Sequence, residues 1–98
     1  MGIKSAGEVG VTLNTIHTCA VADETVTLVF CNTTANNYAA LKLAYKKSGG
    51  SVRYALFGQQ LDAGRTYEVS GVALSSGDIV QAEVDGTGVD FTVMGKDI

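Results

Sequence analysis

The segment Ser76–Gly95 constrains this chain more than any other. Val80, Ala82 and Val84 alternate with Ile79, Gln81 and Glu83. After Asp85-Gly86-Thr87-Gly88, Val89, Phe91 and Val93 alternate with Asp90, Thr92 and Met94. A period of two over both arms is the signature of β-strands with one dry and one wet face. A short polar loop with two glycines between such arms predicts an antiparallel hairpin. A dry sheet face must be covered by something else, so the remaining residues are expected to supply a second layer.

Their pattern agrees. Thr25–Cys31 alternates Val26, Leu28 and Phe30 with a second face that is itself half apolar, as suits a central strand. Val9–Leu13 reads as a first strand, continued by Ile16–Ala20, and if residues 15–20 and 25–31 form a hairpin around Ala22-Asp23, Cys19 and Cys31 lie far apart. For Tyr38–Lys47, Asn37 could cap a helix and Gly49-Gly50 could end it, but the alternation of Leu41, Leu43 and Tyr45 with Lys42, Ala44 and Lys46 favours a strand. Val52, Tyr54 and Leu56 alternate with Arg53, Ala55 and Phe57, and Thr66–Val69 and Val72–Leu74 are further short runs.

Val, Ile and Thr supply 26 of 98 residues, and 12 glycines occur without one proline. That composition favours many short strands joined by tight turns. The fold expected is a single antiparallel β-sandwich over residues 9–98, Ig-like or jelly-roll-like, of about seven or eight strands. Residues 1–8, small and aperiodic, read as a flexible N-terminal arm.

Charge excludes some functions and suggests one. Residues 1–60 hold five Lys/Arg against three Asp/Glu, and residues 61–98 hold two against seven. No basic stripe suited to nucleic acid survives beyond Lys42, Lys46, Lys47 and Arg53. The bipolar distribution suits head-to-tail packing with further copies or contact with a charged partner. No apolar run resembles a signal sequence or a membrane-spanning helix, so a cytosolic origin is expected.

Motifs for chemistry fare poorly. His17 is the single histidine, so a His17–Cys19 nucleophile pair is the one catalytic arrangement to weigh, and a packed structural pair explains it as well. Cys19 and Cys31 are too few for a disulfide framework and are expected as free thiols. Asp85-Gly86-Thr87-Gly88 lacks the aspartate directly before Thr-Gly that a dimeric aspartic protease requires. Asn32-Thr33-Thr34 matches a glycosylation acceptor but reads more simply as a turn. No metal-ligand spacing or phosphate loop is present, so no enzyme activity, metal or cofactor is expected.

Five short pieces carry a family resemblance: Thr15-Ile16-His17-Thr18-Cys19, Thr27-Leu28-Val29-Phe30-Cys31-Asn32, Leu61-Asp62-Ala63-Gly64, Leu74-Ser75-Ser76-Gly77-Asp78-Ile79-Val80, and Val89–Ile98. Together they span most of residues 11–98, and the chain resembles a group of small structural proteins of tailed-bacteriophage virions. It departs from them at Val21-Ala22-Asp23, where the group often carries Pro-Ala-Gly. The resemblance implies a virion protein assembled in the host cytoplasm, of the capsid decoration or cement type. Its expected partners are the major capsid protein or another virion protein and further copies of itself, a trimer being one such arrangement, with neither nucleic acid nor membrane. Lys46, Lys47, Arg53, Tyr54 and Phe57 are the candidate contact residues. A tail, neck or fibre-attachment protein is the alternative, and a carbohydrate-binding module using the tyrosines is the alternative from another class.

Overall fold

The computed structural model describes residues 2–35 and 39–98. Eight strands run in chain order: β1 Gly2–Glu8, β2 Asn14–Thr18, β3 Asp23–Asn32, β4 Ala39–Lys46, β5 Val52–Leu61, β6 Thr66–Ser75, β7 Ile79–Val84 and β8 Val89–Asp97. They form two four-stranded antiparallel sheets, a first in the order β1-β8-β3-β6 and a second in the order β2-β7-β4-β5.

The order has a simple origin. β1 pairs with β8, β2 with β7, β3 with β6 and β4 with β5. The chain is one long antiparallel ribbon, folded back at the β4–β5 turn and rolled so that successive pairs alternate between sheets. Pairing of β3 with β8 and of β4 with β7 completes each sheet. This is the strand order of a jelly roll, and it decides between the two sandwich types the sequence allowed.

The rolled ribbon overturns two local expectations. β7 and β8 lie in different sheets, as do β2 and β3, so neither pair is a hairpin. Asp85–Gly88 is a corner instead. Asp85 Oδ1 accepts the Ala40 N–H at 3.0 Å in the second sheet, while Glu8 of the first sheet accepts the Gly88 N–H at 3.2 Å. A glycine-rich polar loop serves a corner as well as a tight turn, because both need unusual backbone angles and exposed polar groups. Among the described strands only β4 and β5, joined across residues 47–51, form a sequential hairpin.

Residues 2–8, expected as a flexible arm, form β1, paired with β8 from Gly2↔Gly95 to Glu8↔Asp90. The first strand expected at Val9–Leu13 is a connection between β1 and β2, in which Val9 alone is fully buried. Residues 39–46 form a strand, in line with the alternation, whereas the proposed Asn37 cap and Tyr38 fall outside the described residues.

Val26, Leu28 and Phe30 of β3 face Leu41 and Leu43 of β4 and Val80, Ala82 and Val84 of β7 in a closed interior. Each large apolar side chain buried there contributes roughly 1.5–3 kcal/mol. Both cysteines are free, Cys19 buried and Cys31 half-buried.

Candidate functional site

Two sides of the roll carry unusual side chains. One is β5, the outer edge of the second sheet. Its pairing with β4 slips twice: Ala44↔Tyr54 is followed by Leu43↔Leu56, and Lys42↔Phe57 by Leu41↔Gln59. Ala55 and Gly58 are the extra residues. Gly58 has φ of 88°, a conformation that other residues adopt only with strain.

The first bulge has a consequence that strict alternation misses. It returns Phe57 to the face that carries Tyr54. The two rings meet edge to face with centroids 5.0 Å apart, and Lys42 Nζ lies 4.5 Å from the Phe57 ring centre. Tyr54 and Phe57 are 47% and 70% exposed, so this aromatic–cation group faces outward. Lys46 stands on the same face one pair further, opposite Val52, and Lys47 begins the turn. Arg53, opposite Tyr45, is exposed along the edge. The structure therefore gathers all five candidate contact residues around β5 and adds Lys42, which sequence reasoning had not singled out. Among the described residues Lys46, Lys47 and Arg53 have no carboxylate within ion-pair distance.

The other side joins β1 to β2. A bulge between Ile3 and Ser5 leaves Lys4 unpaired and turns both Lys4 and Ser5 toward the interior. Glu24 continues the inward row of Val26, Leu28 and Phe30 and is 1% exposed. Its Oε2 receives Lys4 Nζ at 2.8 Å, and its Oε1 lies 2.6 Å from His17 Nε2. Lys4 also bonds Asp97, and Ser5 Oγ lies 2.9 Å from His17 Nδ1. A carboxylate can only accept, so His17 Nε2 carries the hydrogen of its bond to Glu24.

Gly95 makes the reach of Lys4 possible. A Cβ there would stand 3.0 Å from Lys4 Cδ and 2.8 Å from Val26 Cγ1. Ser5, His17 and Glu24 follow the order of a hydroxyl–imidazole–carboxylate relay. Here, however, Lys4 occupies the carboxylate's second oxygen, and the whole chain of contacts spans both sheets. Its evident effect is mechanical: it fastens the N-terminal strand to the sandwich. His17 does not partner Cys19, whose thiol instead donates to the Val21 carbonyl at 3.3 Å.

Burial pushes the Glu24 carboxyl up, but the bonds from Lys4 and His17 outweigh it and hold the group below its ordinary value of 4.5. The same contacts, led by the Asp97 bond, keep Lys4 charged well above the usual lysine range. A carboxyl that binds its proton less tightly folded than unfolded adds stability above its unfolded value, and that stability drains away as pH falls through the folded one. The wild type is therefore expected to lose more stability than Glu24→Gln on acidification below about pH 4.5. Urea midpoints across that range check this, and parallel curves would contradict it.

No protein family, curated protein or solved structure matches the chain. Strand order and side-chain placement define the protein as an eight-stranded jelly roll, fastened on one side by a buried polar cluster and bearing an exposed aromatic and cationic group on the other.

Proposed function

We propose that the protein is a structural component of a bacteriophage particle, of the capsid decoration type, and that it works by docking and not by catalysis. The observation that carries this reading is the β5 edge. It is a ten-residue strand without proline at the margin of a sheet, bearing two exposed aromatic rings and flanked by unpaired cations. Two bulges and the exposed Arg53 blunt this edge against strand addition, so on this reading its side chains make the contact. Aromatic residues and arginine are the side chains that most often anchor protein interfaces. The five sequence segments that resemble those of small phage virion proteins suggest the setting.

On this reading Arg53 and Lys47, at the edge and its turn, meet an acidic surface of the capsid. Buried ion pairs lost to charge reversal typically cost 2–5 kcal/mol or more. Arg53→Glu is expected to lower uptake of the protein by particles lacking it at least about tenfold, which is a cost of ~1.4 kcal/mol. Co-sedimentation with such particles measures this. Uptake equal to that of the wild type would overturn the role of the β5 edge.

A further inference from the structure

The two outer faces of the roll carry opposite net charge: on one, Lys42 pairs with Glu83 at 3.8 Å, while Lys46 has no carboxylate within ion-pair distance among the described residues. On the second sheet, cross-strand neighbours form the rows Glu83–Lys42–Phe57 and Ile79–Lys46–Val52. With Tyr54 beside them, this face is cationic and apolar. On the first sheet the rows are Ile3–Met94–Thr27, Ala6–Thr92–Val29–Glu68 and Glu8–Asp90–Cys31–Thr66. Lys96, opposite Thr25, stands on this face too, but Glu8, Glu68 and Asp90 outnumber it, so the face is acidic on balance, and it carries an exposed apolar residue, Ile3, at 71%.

Glu8 and Asp90 stand directly opposite each other across β1 and β8. Like charges so placed repel and weaken a strand pair. Among the described residues neither has a cation within ion-pair distance. The lysines of the opposite face could relieve this repulsion, but only from another molecule, because the two faces point away from each other.

We propose that the occupant of each face is a second copy of this chain: the Lys42–Lys46–Phe57 face of one molecule seats on the Glu8–Asp90–Glu68 face of the next. The contact is heterologous, using different surfaces on the two partners, so it builds a ring if the rotation closes and a filament if it does not. Charge supplies the orientation, and the Tyr54 and Phe57 rings, packed against Ile3 and Met94, supply the apolar centre. The inference goes beyond the docking function and is measured without particles. A monomer that still decorates particles would overturn it and spare that function.

The test uses the whole chain and two double charge reversals on the outer faces, Lys42→Glu with Lys46→Glu, and Glu68→Lys with Asp90→Lys. By light scattering in about 50 mM salt, the wild type is expected at a multiple of 10.2 kDa. Each reversed variant is expected at the monomer mass, with its circular dichroism unchanged. An equimolar mixture of the two is expected to associate again, because each supplies the face the other has lost. A monomeric wild type, reversed variants that associate as the wild type does, or a mixture that stays monomeric would each overturn the proposal.

Discussion

Lys4→Met is expected to destabilise the protein by about 3 kcal/mol near neutral pH, and adding Glu24→Gln to recover part of that loss. Glu24 is 1% exposed, and its ion pair is with Lys4, whose side chain is 22% exposed. Removing one partner of a buried ion pair leaves an uncompensated charge, which typically costs 3–5 kcal/mol. The solvent contact of Lys4 and the surviving His17 bond place this case at the lower end. The neutral amide of Glu24→Gln needs no counter-charge and can still meet His17, so the double variant should be more stable than the single one. Urea denaturation of the three proteins decides it. If the double variant is the least stable, Lys4 and Glu24 act independently and the fastening cluster is misread.

The second large effect contrasts two phenylalanines. Phe30 is fully buried at the centre of β3, opposite Tyr67 on one neighbour and Phe91 on the other. Phe30→Ala removes a ring from a closed interior and should cost about 3–5 kcal/mol, the usual toll of truncating a core aromatic. Phe57 is 70% exposed. Phe57→Ala should leave the urea midpoint almost unchanged, within about 0.5 kcal/mol, yet weaken self-association and particle uptake. If Phe57→Ala unfolds the protein while Phe30→Ala does not, the assignment of inside and outside is wrong.

The inward rows were legible because burial imposes a period of two. Val26, Leu28 and Phe30, Val80, Ala82 and Val84, and Val89 and Val93 all face the interior as their alternation predicts. The layer arrangement was not legible. Asp85–Gly88 has the composition of a hairpin turn, and nothing in those residues records that β7 and β8 enter different sheets. That choice is made by distant partners, β2 and β4 for one and β1 and β3 for the other.

The β5 residues were chosen for their charge and aromatic character. Their mutual contact was hidden by the bulge at Ala55, which breaks the alternation that separates Tyr54 from Phe57 in the sequence. Gly58 hinted only at the second slip, since a glycine inside a strand pattern often marks a bulge, and Ala55 gives no such sign of the first. The Lys4–Glu24–His17–Ser5 cluster was missed for a related reason. Glu24 keeps the phase of the apolar row on β3, so a register count would have placed it inside, but its partners lie in two other strands.

The most direct test of the docking function is the copy number of this chain in purified phage particles, measured by quantitative mass spectrometry against the major capsid protein. A decoration role predicts a fixed stoichiometry, in simple proportion to the capsid subunits, that survives extensive washing. Its absence from washed particles, or a trace amount that varies between preparations, would contradict that function.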